Sequence, residues 1–400
     1  MKPLEGIKVV DFTQVHAGSL TTMLLADFGA EVIKIERAGM GDLSRHLAPF
    51  KNGASGYMAH MCRGHKSISV NAGSEKGREL ILRLLAEADV LVENFKYGSM
   101  ERLKLTYEEV KKVNPGIIYA SMSAFGQTGP MRATIGLDIH LQAMSGLMDR
   151  TGFPDGPPTR VGMAAGDHIG GTYLATAVMF ALMHKKKTGE GQRVDVAILD
   201  SVTTMLEAYP MIYALTGKVP PRVGNSYPSI SPYDAFKVKD GYVSMGIATD
   251  DQWQRFCKVL GLEHLAKEPK YMSNESRGDH YEEPGGLREQ LEKYFENMTK
   301  HEIEAKLRGV GLACGAVNTV AEAMEMEQVK ARNMLVTVVD KNIGDTVTMP
   351  GVPIRLSKTP GGYTEGAPLL GEHTRYYMKK LGYSDAEIQE LCDAKVVEVA

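Results

Sequence analysis

Between residues 7 and 36 the hydrophobic period changes from two to helical and back to two, and this constrains the fold more than any other stretch. Residues 7–12 form a β-type apolar run, residues 20–28 carry helical spacing that Gly29 stops, and EVIKIE (Glu31–Glu36) returns as a strand. A strand-helix-strand unit of this length places its strands side by side and parallel, with the helix over one face. The rhythm repeats, with strands expected over 67–70, 88–94, 117–123 and 193–198. Helices are expected over 75–87, 100–110, 136–148, 173–183 and 201–215. The fold class is therefore α/β, with a large domain built on a mostly parallel, Rossmann-like sheet.

Four hundred residues exceed the usual size of one core, so a second domain is expected. The character changes at 217–232, where KVPPRVGNSYPSISPY is rich in Pro, Ser and Gly and reads as a linker. Beyond it the pattern is that of a smaller α+β unit: hairpin-like strands over 234–248, then helices over 250–260, 287–298 and 300–308. Residues 314–317 lead into another helix. Short strands are expected over 335–339, 346–349 and 351–355, and terminal helices over 375–381 and 385–394. Lys and Arg are dispersed and the net charge is only -3, which excludes a nucleic-acid footprint. No apolar run is long enough to span a membrane, and the chain enters a strand directly without a signal-peptide core, so a cytoplasmic location is expected. The four cysteines and the scattered histidines have no metal-site spacing, so no metal is expected.

The first strand-to-helix turn lacks GxGxxG, and the chain has no P-loop, HExxH or GxSxG. What that turn does offer is Gln14, His16 and Gly18, at the strand end where open α/β sheets bind ligands. Arg37 follows the second strand and Arg45 lies in the next loop. Arginine suits bidentate anion binding, although one on a surface is more often merely solvated. Asn94 and Phe95 end a third strand. The stretch VGMAAGDHIGG (161–171) sets a carboxylate, Asp167, among small residues before an apolar helical run. Asp167 is either an N-cap of that helix or a reactive carboxylate, acting as base or nucleophile with glycine N–H groups to stabilise an oxyanion. Asp138 is expected to cap the helix over 136–148.

The stretches PLEGIKVVDFTQVHAG, GAEVIKIER, VENF, GLD, GPPTRVGMAAGD, KTGEGQRVDVAILD and APLLGEHT run in this order over nearly the whole chain. Together they resemble the family III CoA-transferases, the group that contains formyl-CoA transferase and carnitine CoA-transferase, and the related α-methylacyl-CoA racemases. The resemblance implies that Asp167 is the catalytic aspartate and that His16 stands where formyl-CoA transferase has an active-site glutamine. It places Val15, Arg37, Asn94, Phe95 and Arg102 along the CoA site, Ala72 and Gly73 against the adenosine, and Asp138 with the same binding set. The family lysine of that site and the glycine tetrad expected over 225–240 have no counterpart, so the acyl group is not tied to formyl or oxalyl.

On this resemblance no cofactor is held permanently. Coenzyme A enters as part of an acyl-CoA substrate, and the second substrate is a small carboxylic acid. The large domain combines residues 1–215 and 326–400, the small one spans 216–325, and two protomers interlock as a homodimer. The racemases use a histidine directly before the aspartate of the GxD helix start. Leu137 holds that place here, so transfer is expected, with an acyl-CoA racemase or epimerase using His140 or Glu207 as the alternative.

Overall fold

The computed structural model describes the whole chain, Met1–Ala400. It packs as two compact units, one of Met1–Leu147, Arg160–Ala208 and Gln328–Ala400, the other of Met148–Thr159 and Tyr209–Glu327.

The first unit is built on a seven-stranded sheet. Its order is Val397–Glu398, Lys66–Val70, Glu31–Glu36, Lys8–Asp11, Val90–Glu93, Ile118–Ser123, Arg193–Ala197. All neighbours are parallel except the C-terminal strand, which runs antiparallel to Lys66–Val70. Numbered along the chain, the six parallel strands lie in the order 3-2-1-4-5-6, the doubly wound arrangement whose winding reverses between the first and fourth strands. These two are Lys8–Asp11 and Val90–Glu93.

The central strands are covered on both faces, which is why they read as continuous Val and Ile runs. Val10, Ile33 and Leu91 face a core completed by the Glu75–Ala86, Thr374–Lys380 and Asp385–Asp393 helices. Val9, Val32, Val90 and Val92 face the Ala17–Asp27 and Ala165–Thr188 helices. Each such side chain, fully removed from water, contributes about 1.5–3 kcal/mol before chain entropy is set against it.

Three expected helices are broken by left-handed residues, the one over 136–148 at Gly146 (φ +91°), which separates Asp138–Met144 from Leu147–Arg150. In place of one helix over 100–110 the chain forms Ser99–Arg102 and Tyr107–Val113; Lys104 has φ +54° and the Thr106 hydroxyl caps the second. Glu207, at φ +50°, likewise separates Ile198–Thr204 from Tyr209–Thr216. Residues 351–355 form no strand; Leu335–Asp340 pairs only with Asp345–Pro350.

The second unit has an antiparallel sheet of Tyr233–Val238, Gly241–Gly246 and Ala313–Ala316, with Trp253, Phe256, Leu291 and Phe295 in its core. Residues 148–159 and 209–215 belong to it rather than to the N-terminal segment of the large domain. The reasons are local: Gly224 N donates to Gly152 O at 3.1 Å, and the Arg150 guanidinium lies 3.9 Å from the Tyr209 ring centre. No helix of the chain is long and apolar enough to cross a membrane.

Candidate active site

Parallel strands deliver their C-terminal ends to one edge of the sheet, and residues far apart in the chain meet there. Ala72 and Gly73 follow Lys66–Val70, Arg37 follows Glu31–Glu36, Val15 follows Lys8–Asp11, and Asn94 and Phe95 follow Val90–Glu93. Neighbouring strands thus bring these positions into one row.

At the point of reversal the two loops are clamped together. Gln14 N donates to Asn94 Oδ1 at 2.8 Å and Asn94 Nδ2 donates to Gln14 O at 2.9 Å. Val15 has φ +60°, a left-handed conformation that a β-branched side chain rarely adopts. A buried polar cluster beneath it holds the loop. Lys34 Nζ donates to Thr13 O at 2.8 Å and is paired with Asp42 at 2.8 Å and Asp11 at 3.4 Å, and Val15 N points at Asp42 Oδ1 at 3.4 Å. Burial opposes the charge on Lys34, but Asp11 and Asp42 outweigh it and hold its pKa well above the usual lysine value.

The arginines separate by role. Arg45 is bound to Glu36 through two 2.7 Å hydrogen bonds and also donates to Asn342 and Pro368, so it is structural. Arg37 is exposed, with only a 3.9 Å contact to Met40 Sδ, and its guanidinium is free to meet an anion. Arg102 is also exposed and donates to Ser99 Oγ at 3.0 Å. Phe95 packs edge-on against Phe12, and its N–H donates to Glu93, whose carboxyl burial pushes up to about 7.

Asp167 is not an N-cap. The helix begins at Ala165, well before the expected 173, with Ala164 as an N-cap that has no capping side chain, so Asp167 is the third helical residue. Asp138 does the capping, but not of its own helix, whose N-cap Leu137 has no capping side chain and whose His140 Nδ1 accepts from Leu137 N. Its Oδ1 accepts from Gly166 N at 2.7 Å and from Asp167 N at 3.3 Å, while Oδ2 accepts from Gln142 Nε2 at 2.6 Å. Both carboxylate oxygens of Asp138 are therefore engaged by the protein, and it stands at this helix start instead of in the row along the sheet edge. The Gly166 N–H, expected to be available to an oxyanion, is occupied.

Gly166 and Gly171 of the stretch serve packing. A Cβ on Gly171 would lie 2.5 Å from Ala17 O, and Thr21 Oγ1 donates to Gly171 O at 2.9 Å. The two helices cross at this glycine. Asp167, one turn earlier on the same face, is thereby carried to the start of the Ala17–Asp27 helix.

His16 stands at that start, its ring centre 6.0 Å from that of His168. Its Nδ1 lies 2.7 Å from Tyr57 Oη, and its Nε2 is buried with no partner in the protein. Burial, then the charge of His168, lowers the His16 pKa. Burial and the neighbouring Asp138 push Asp167 up to about 6. Tyr57 rises to about 12, from burial and then from the Asp167 charge, so it remains a phenol. His60, which accepts from Arg63 Nη1 at 2.9 Å, falls to about 4 through burial and the Arg63 charge. Tyr57 and His60 were not legible in the sequence. They lie on a short helix, Gly56–Met61, capped by Ser55 and preceded by an aperiodic loop. His140, exposed, accepts from Leu137 N at 3.1 Å in its own helix cap, and Glu207 is exposed.

The arrangement sets a row of strand-end residues that includes the free Arg37 in the same unit as a half-buried carboxylate with a raised pKa. The model of CoA-transferase family III matches residues 4–374. A succinyl-CoA:glutarate CoA-transferase of Mus musculus is 37% identical over 404 residues, covering 100% of this chain and 91% of that protein. An acetyl-CoA:oxalate CoA-transferase of Acetobacter aceti is 37% identical over 391 residues, covering 96% and 97%. Among solved structures, a CAIB/BAIF family protein from Brucella suis superposes with a TM-score of 0.87 at 36% identity, covering 95% of this chain and 99% of that one. The family model, the relatives and the solved structure agree, and the chain belongs to CoA-transferase family III.

Proposed function

We propose that the protein transfers coenzyme A from a dicarboxylic acyl-CoA, with succinyl-CoA as the first donor to try, to a free dicarboxylic acid, through covalent intermediates on Asp167. The observation that carries this reading is the setting of Asp167, a half-buried carboxylate with a raised pKa on a helix that crosses Ala17–Asp27, at whose start His16 leaves Nε2 unpartnered. The names of the relatives support the substrate class.

In this mechanism the Asp167 carboxylate attacks the thioester carbonyl, the C–S bond breaks, and CoA thiolate leaves behind a mixed anhydride. The thiolate then attacks the aspartyl carbonyl, releasing the donor acid and giving an aspartyl-CoA thioester. The acceptor carboxylate displaces the thiolate from that thioester. A last attack by the thiolate on the acceptor's carbonyl frees Asp167 and the new acyl-CoA. No net proton is consumed. With the Tyr57 O–H donating to His16 Nδ1, the His16 proton resides on Nε2, where it serves the developing oxyanion. The pyrophosphate and adenosine lie along Arg37, Ala72 and Gly73, the pantetheine passes Val15, Asn94 and Phe95, and Arg102 flanks the entrance.

Proton exchange at the α-carbon needs a base on each face of that carbon. His140, tied into its own helix cap, is a poor second base, and transfer is the reading favoured over racemisation. A second copy of the chain is part of the proposal. On the Ala165–Thr188 helix, Tyr173, Phe180 and Met183 present an apolar face to solvent, with Phe180 70% exposed. Sedimentation at micromolar concentration should give a dimer.

The test is incubation with succinyl-CoA followed by hydroxylamine and peptide mass spectrometry. A hydroxamate on Asp167, together with glutaryl-CoA formed when glutarate is added, is the expected result. An unmodified Asp167 peptide and full transfer by Asp167→Asn would overturn the mechanism.

A further inference from the structure

A carboxylate in the first turn of a helix is ordinarily stabilised by free N–H groups and by the helix dipole, which lower its pKa and quieten it as a nucleophile. Asp167 occupies such a position and does not receive this help. Gly166 N and Asp167 N both donate to Asp138, and no donor of the protein reaches the Asp167 side chain.

Asp138 is held there by design of the surrounding loop. Gln142, fully buried, donates from Nε2 to Asp138 Oδ2, while its Oε1 accepts from Val161 N at 2.9 Å and Nε2 also lies 3.4 Å from Met163 O. The same side chain thus fixes Asp138 and ties down the strand of chain that leads into the Asp167 helix. Position 166 admits only glycine, because a Cβ there would stand 2.9 Å from Asp138 Oδ1 and 2.7 Å from Val202.

Resting on the reading of Asp167 as nucleophile, we infer that Asp138 is a positioning residue that keeps Asp167 reactive. It takes the helix N–H groups for itself and sets a second negative charge beside the Asp167 carboxylate. The other groups around Asp167 do not cancel that charge. Tyr57, from the Gly56–Met61 helix, stays a neutral phenol; His16, at the start of the Ala17–Asp27 helix, and His60 are held towards their neutral forms by burial. His168, the next residue on the same helix, faces His16. Asp138 therefore acts at a distance of two backbone hydrogen bonds, without touching substrate.

Asp138→Asn tests this, because the amide oxygen can still accept from Gly166 N while the charge is gone. A carbon-13 carboxyl titration of Asp167 in the unliganded protein reads the effect without turnover. The expected result is a titration midpoint that moves down, an acid limb of kcat/KM that moves down with it, and transfer at pH 8 slowed about three- to tenfold. An unmoved midpoint, with activity lost equally at every pH, would show that Asp138 only holds the backbone and would overturn the inference. Hydroxylamine trapping in the unsubstituted protein separates the two levels: an absent Asp167 adduct there refutes the nucleophile reading, whatever Asp138→Asn does. Should Asp138→Asn fold poorly, Asp138→Ser also removes the charge while leaving an acceptor oxygen on the side chain, and the same downward movement of the Asp167 midpoint is expected; an unmoved midpoint there would equally overturn the inference.

Discussion

A Cβ on Gly171 would stand 2.5 Å from the carbonyl oxygen of Ala17, so the two helices that meet at the site touch backbone to backbone. The contact lies one helical turn from Asp167 and next to His16, which precedes Ala17 at the start of the second helix. Gly171→Ala should push the helices apart, lower stability by about 1–3 kcal/mol, and reduce kcat while leaving CoA binding intact. Thermal melts and CoA calorimetry on the same preparation check both parts.

Asp167 should cost the fold stability in its working state. Its pKa rises from the ordinary 3.8 to about 6, so between these values the folded protein binds more protons than the unfolded chain. Stability must then fall as pH rises through that window and stay reduced above it. Asp167→Asn lacks this penalty and should be more stable at pH 8 by about 1–3 kcal/mol, with the advantage gone near pH 4. Urea titrations at several pH values read the difference; an advantage that grew on acidification would contradict the sign.

The Tyr57 hydroxyl lies 2.7 Å from His16 Nδ1, and in the proposed mechanism it donates there and puts the His16 proton on Nε2. His16→Ala should lower the single-turnover rate of thiol release about a hundredfold, and His16→Gln should recover part of it, because an amide N–H can occupy the same place. Tyr57→Phe, which lets the tautomers mix, should cost about tenfold. KM for the acyl-CoA should move far less than kcat in each case.

Arg37 is free where Arg45 is not, and this predicts a charge effect confined to one end of the substrate. Arg37→Ala should weaken acyl-CoA binding roughly tenfold to a hundredfold, more at low salt than at high, and leave an acyl-pantetheine substrate that lacks the nucleotide unaffected. Arg45→Ala should instead unfold the region around Glu36, because it strands a buried carboxylate.

The order of strands and helices in the large domain was legible because it rests on local spacing. The apolar runs in EVIKIE and ADVLVEN, separated by segments of helical spacing, pointed to a parallel sheet, whose strand ends share one edge. Arg37, Asn94 and Phe95 could be placed at strand ends on that basis, whereas Val15, Ala72 and Gly73 entered only through the family resemblance. The breaks at Lys104 and Glu207 were not legible, since neither residue type announces a left-handed turn. The assignment of 148–159 to the second unit was hidden because its partners, near Tyr209 and Gly224, are far along the chain.

The sequence alone determined that a carboxylate stands among glycines ahead of an apolar helix, next to a sheet whose first turn ends in His16. It could not say what the glycines were for or who caps the helix, because both answers lie in contacts between residues 17 and 171 and between 138 and 166. Tertiary structure decided these, and with them the chemistry of the site. Hydrogen bonds across 28 and 29 residues give the helix N–H groups at Asp167 to Asp138, and a helix crossing sets Gly171 against Ala17, next to His16. Burial then sets the proton affinities, and burial is a property of the assembled fold that no local pattern encodes.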